Sequence, residues 1–112
     1  MRSILLTVIL STVFSSSVNA NYIDGNLLKL MSVAPVTDHS HLQFVGYVVG
    51  VIDSNDQHKL CVNVPPNALT PVLDTVIDYL ANNLDKLNAP GNDLVVEALL
   101  PKYSCASKTK IE

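Results

Sequence analysis

Two cysteines, Cys61 and Cys105, are the only ones in a chain of 112 residues whose first twenty read as an export signal. Arg2 gives a basic start, Ile4 to Phe14 a short apolar core, and Val18-Asn19-Ala20 a small-residue cleavage site. Residues 1–20 are therefore assigned to a signal peptide and 21–112 to the mature domain. The apolar stretch is too short, and too polar from Ser15 onward, to cross a bilayer, so no membrane attachment is expected after cleavage. In an oxidising compartment such as the periplasm, two cysteines are expected to pair. A bridge across 44 residues removes unfolded-chain entropy equivalent to about 4 kcal/mol. For a mature chain of only 92 residues that is a large share of the total stability. Any fold must then bring the middle of the chain to its C-terminal end. A redox role would call for a tight C-x-x-C pair, and that spacing is absent.

Helical periodicity fills the segments between turns. Asp24-Gly25-Asn26 opens a helix in which Leu27, Leu28, Leu30 and Met31 face a core, ending before Pro35. Asp38 or Ser40 caps a second helix through Leu42, Phe44, Val45, Val48, Val49 and Ile52; its valines also suit a buried strand, but length and glycine placement favour helix. Gly46 and Gly50 lie one turn apart on one face. Because glycine weakens a helix, a close helix crossing there is expected, within the core or between protomers. Asp53 to Lys59, that is Asp53, Ser54, Asn55, Asp56, Gln57, His58 and Lys59, reads as a polar connector that leads to Cys61. Thr70 as N-cap with Pro71 behind it starts a third helix through Val72, Leu73, Val76, Ile77, Leu80 and Leu84, with Asp74 and Asp78 outward. A turn over Asn82 to Asn88 precedes a last helix on Leu94, Val95, Ala98 and Leu99, which Pro101 stops. Ser107 to Glu112 is expected to fray. The expectation is an all-α bundle of about four to five helices stapled by one disulfide.

Chemistry is hard to place on this chain. A net charge of -3 and the lack of any Lys/Arg cluster exclude a nucleic-acid surface. No H-E-x-x-H, G-x-S-x-G, phosphate-binding glycine loop or C-x-x-C occurs. His39, His41 and His58 with Asp53 or Asp56 are the nearest approach to a metal set. His39 and His41 would point about 200° apart on a helix, so neither a metal nor another cofactor is expected. Cys61 beside His58 suggests a thiol nucleophile only until Cys105 claims the sulfur. Catalysis is not expected.

Phe44-Val45-Gly46-Tyr47-Val48-Val49-Gly50-Val51-Ile52-Asp53, Leu60-Cys61-Val62 with Pro65 behind it, Val76-Ile77-Asp78-Tyr79-Leu80, Ala89-Pro90, Leu94-Val95-Val96-Glu97-Ala98-Leu99 and Tyr103-Ser104-Cys105 follow one another along the mature chain. In order and spacing this series resembles the Rap/Tai family of type VI secretion amidase immunity proteins. Two departures stand out. A second cysteine pair common in that family is missing at both of its places, near Met31 or Ser32 and at Phe44, and the Cys-Val-Pro element is stretched to Cys61-Val62-Asn63-Val64-Pro65. The resemblance implies a small helical periplasmic protein, often a homodimer, that binds a secreted peptidoglycan amidase with a Cys/His active site and blocks it. Asp53 to Lys59 is the segment expected to enter the amidase groove, since a rigid scaffold presenting a loop avoids the entropic cost of ordering it on binding. An acid-activated periplasmic chaperone and a small-ligand carrier are the alternatives. The first calls for denser charge than this chain carries, the second for an apolar cavity.

Overall fold

The computed structural model describes residues 23–56 and 58–105. The assigned signal peptide and the end expected to fray, 107–112, lie outside those residues. Four helices follow in order: α1 (Gly25–Ser32), α2 (His39–Ser54), α3 (Thr70–Asn82) and α4 (Gly91–Tyr103), with short 3-10 turns at Pro66–Ala68 and Leu84–Lys86. Among the described residues the only β pairing is isolated bridges, so the strand alternative for the valine-rich segment does not hold. Its sixteen residues form α2.

The helix starts are chemical. Asp24 caps α1 by accepting from the Leu27 N–H at 2.9 Å, and that bond holds its carboxyl below the usual range. Asp38, rather than Ser40, caps α2 by accepting from the Ser40 N–H at 3.0 Å. Two expected boundaries move. Thr70 does not cap α3: the 3-10 turn before it leaves Leu69 already in a helical conformation, so the helix is entered without a side-chain cap. Pro71 falls where free N–H groups make its missing donor harmless. Nor does Pro101 stop α4, which continues to Tyr103; placed in the last turn, the proline forfeits one bond and the helix closes with the Ser104 N–H on the Leu100 carbonyl at 3.1 Å.

One core joins all four helices. Leu28 and Met31 come from α1, Phe44, Val48, Val51 and Ile52 from α2, Val72, Val76 and Leu80 from α3, and Leu94, Val95, Ala98 and Leu99 from α4, with Leu60 and Leu87 from the connections. In each helix the buried positions recur at three or four, with adjacent pairs at Val51–Ile52, Leu94–Val95 and Ala98–Leu99, as one buried face requires. α3 packs on α4 and α1 on α2, while α4 also meets α2 and α1. Half of the face expected on α1 turns out to be exposed: Leu27 and Leu30 are 39% and 67% accessible, because an eight-residue helix buries only the narrow Leu28–Met31 stripe. Leu42 and Leu84 are exposed as well. The starts of α1 and α4 are tied by Gly25 N–H to the Ala89 carbonyl, Asn26 N–H to the Leu87 carbonyl and Gly91 N–H to the Ile23 carbonyl, at 2.8–3.0 Å. Gly25 permits that approach, since a Cβ there would lie 2.7 Å from both the Cα and the carbonyl oxygen of Leu87.

Candidate functional site

The polar connector is shorter and stiffer than its composition suggests. Asp53 and Ser54 are the last two residues of α2, and Asn55 is its C-cap. The Asn55 N–H reaches the Val51 and Ile52 carbonyls, and its side-chain amide donates to the Val51 carbonyl at 2.8 Å. The Asn55 carbonyl in turn accepts from the N–H groups of His58, Lys59 and Leu60, at 3.1–3.2 Å. One residue thus closes the helix and gathers the turn. Asp56, His58 and Lys59 stand exposed on it; Gln57 lies outside the described residues.

Leu60, fully buried, anchors the far end of the turn. Beyond it the Cys61 N–H donates to the Tyr103 carbonyl at 2.8 Å and the Cys105 N–H to the Lys59 carbonyl at 3.2 Å. Cys61 and Cys105 are disulfide-bonded, with Cα atoms 4.9 Å apart. The covalent link expected from the sequence therefore fastens the end of the connector to the end of α4.

A polar groove of about 320 Å³ runs beside this turn, between Asn55 and Lys59 on one side and Asn92, Asp93, Val96, Glu97 and Leu100 of α4 on the other. Both walls are held. Glu97 accepts from the Tyr79 hydroxyl of α3 at 2.5 Å and lies 3.8 Å from the Lys86 ammonium, which also sits 5.8 Å from the centre of the Tyr79 ring. Burial first, then the Glu97 carboxylate, pushes the Tyr79 phenol up. The hydroxyl group of Lys86's partner Tyr79, followed by Glu97, holds the Lys86 ammonium more firmly protonated. At the other end the Tyr47 hydroxyl of α2 lies over the first turn of α4, where Asn92 N–H is its partner; burial raises that phenol, with Asp93 adding to the effect. As α4 has no side-chain N-cap of its own, Tyr47 supplies a polar contact there from another helix.

The remaining candidates fare differently. Gly46 and Gly50 do not support a helix crossing within the chain: a Cβ at either would meet nothing within 4 Å. They stand two residues after Phe44 and Val48, about 200° round the helix from the buried face. Gly46 instead borders an open apolar groove of about 450 Å³ lined by Ile23, Leu27, Leu30, Met31 and Tyr47. His39 and His41 both fall in the first turn of α2, and the described residues contain no group of three His, Cys, Asp or Glu side chains placed to hold a metal. Sequence reasoning missed the α4 wall. Asp93 and Glu97 are visibly one turn apart on its polar face, but only the tertiary packing sets them against Asn55 and Lys59.

No curated protein sequence matches the chain. The family model of the Rap1a immunity proteins does, over residues 25–105, a span that takes in all four helices, the connector and both cysteines. The chain therefore belongs to the Rap1a immunity protein family.

Proposed function

We propose that this immunity protein acts in the periplasm, where it binds a peptidoglycan amidase delivered by type VI secretion and blocks it, with no hydrolytic activity of its own. Family membership carries the immunity role, and the amidase target, type VI delivery and periplasmic location follow from the resemblance of the sequence to the amidase immunity proteins. The pinned connector supports placing the inhibitory contact at Asp53, Ser54, Asn55, Asp56, His58 and Lys59: a turn whose backbone is already fixed loses little entropy when a partner closes over it. Both cysteines are consumed in the disulfide, which leaves no thiol for a nucleophile. Two apolar hollows among the described residues are open surface grooves. The homodimer is part of the proposal, and we assign it to the uncharged α1–α2 face around Leu27, Leu30 and Gly46.

The test is protection. Cells exporting the cognate peptidoglycan amidase to their periplasm, sought among the candidate amidases of the same genome, should lyse, and co-export of the mature chain should rescue them. Charge reversal at Asp53 and Asp56 should weaken rescue and speed dissociation while leaving the helical fold intact, because both side chains are exposed. Lysis despite wild-type protein, across every candidate amidase of that genome, would refute the amidase reading. Full rescue by the double variant would remove the contact from the connector.

A further inference from the structure

An apolar hollow of about 370 Å³ opens where the end of α2 faces the chain that follows the disulfide, between Val49, Ile52 and Asp53 on one side and Val62, Val64 and Leu69 on the other. Its second wall is built like the edge of a sheet. Cys61 to Pro65 runs without helix or turn, the proline after Val64 keeps that residue out of the helical region, and Pro65 itself is extended, with φ -64° and ψ 155°. Val62 and Val64 line the hollow while Asn63 between them is exposed, which is the alternation of an extended chain. Among the described residues no backbone bond reaches Val62, Asn63 or Val64. An extended segment with unpaired N–H and C=O groups beside an apolar hollow is the arrangement that takes up a further strand: the main chain supplies the bonds and alternate side chains fill the hollow.

We propose that this strand is the chain's own C-terminal segment, residues 106–112, with Thr109 and Ile111 in the hollow and Lys108 and Lys110 outward, within reach of Asp53 at the rim. Position selects this occupant first. The segment begins directly after Cys105, which is bonded to Cys61 with Cα atoms 4.9 Å apart, so Val64 lies within about 16 Å of its start. The residues from Ala106 to Ile111 span about 20 Å when extended. The bond from the Cys105 N–H to the Lys59 carbonyl aims the chain at the connector, and Ala106 and Ser107 are small enough for a turn back. Pattern selects it next: Lys108-Thr109-Lys110-Ile111 alternates with the period of two that gives a strand one polar and one less polar face, and Thr and Ile both favour strands. Charge agrees, because Asp53 is the one charged group of the hollow's lining and the segment carries two lysines against Glu112. The inference stands apart from the immunity reading, and it puts a docked strand where terminal position alone suggests a frayed end.

The experiment compares the oxidised mature chain with its Ile111→Asp and Thr109→Pro variants by nuclear magnetic resonance, at two protein concentrations tenfold apart. Circular dichroism first establishes that each variant keeps its helices. The strand predicts through-space contacts from the Ile111 methyl groups to those of Val62 or Val64. It predicts roughly tenfold slower amide exchange in the wild type than in either variant, at Val62 and Val64 or at Asn63 according to the edge taken. A carbodiimide should cross-link Asp53 to Lys108 or Lys110, and Asp53→Asn should abolish that product. Equal exchange in all three chains, with no contact from Ile111, would overturn the proposal. Protection that disappears on dilution would overturn it too, since the strand would then come from a second copy.

Discussion

Replacing Gly46 and Gly50 by alanine should stabilise the protein, and replacing Gly25 by alanine should destabilise it. At positions 46 and 50 an added Cβ meets nothing within 4 Å, so the substitution carries no packing penalty and gains the difference in helix propensity, about 0.8–1.0 kcal/mol at each interior position. Together the two changes amount to roughly 1.6–2 kcal/mol. For a domain of this size that raises Tm by roughly 6–16 °C. Gly25 is the internal control: there the new Cβ would stand 2.7 Å from the Cα and carbonyl oxygen of Leu87. Those are backbone atoms that cannot swing aside without disturbing the bonds from Gly25 to Ala89 and from Asn26 to Leu87. Overpacking of that kind costs roughly 1–3 kcal/mol. The assay is thermal and urea unfolding across a range of protein concentrations, so that the dilute limit reads the monomer. At high concentration the alanine variants also report on the proposed dimer face, and the bulkier Gly46→Leu should shift the molar mass in light scattering from dimer to monomer. A fall in dilute-limit stability for Gly46→Ala/Gly50→Ala would refute the placement of these glycines on an open face.

Cys61→Ser or Cys105→Ser should cost about 2–5 kcal/mol and lower affinity for the amidase, because the same bridge fixes the connector; peptide mapping without reduction should recover residues 61 and 105 linked. Phe44→Ala, at a fully buried side chain that touches the shared core, should cost about 3–5 kcal/mol in urea unfolding. Tyr47 and Tyr79 hold their protons more tightly in the folded chain than the free value of 10.0, so they add stability that is present below pH 10 and lost as pH rises through their elevated folded values. Tyr47→Phe/Tyr79→Phe should flatten that alkaline fall. Asp24 acts in the opposite sense: its depressed folded value means that the cap stabilises α1 above pH 3.8 and is lost as acid protonates it.

Much of the fold could be read along the chain because its signals are local. Asp24 and Asp38 announce their helices by type and position, and the apolar spacing of Val72, Val76 and Leu80 or of Leu94, Val95, Ala98 and Leu99 states which face is buried. The disulfide could be expected from the cysteine count and the export signal read in the first twenty residues. What could not be read depends on neighbours distant in sequence. Gly46 and Gly50 share a face under any helical reading, but whether that face meets a helix or water is decided by where α1 and α4 lie. Leu27 and Leu30 have the composition of core residues and lose that place to geometry. Thr70 yields its capping role to Leu69 because the 3-10 turn before it is already helical. The connector was legible as polar, but its stiffness comes from the carbonyl of Asn55 and from Tyr103, Ser104 and Cys105 folding back on it. The α4 wall of the groove was legible only as a polar helix face.

The proposed stoichiometric inhibition of a peptidoglycan amidase is tested most directly by titrating the purified, oxidised mature chain into each candidate amidase of the same genome, while following release of cleaved peptide from purified peptidoglycan. Activity of the cognate enzyme should fall linearly to zero at one chain per enzyme molecule, the chain alone should release nothing, and the Asp53→Lys/Asp56→Lys variant should require excess. Full activity of every candidate amidase at a tenfold excess of wild-type chain would contradict the proposed inhibition.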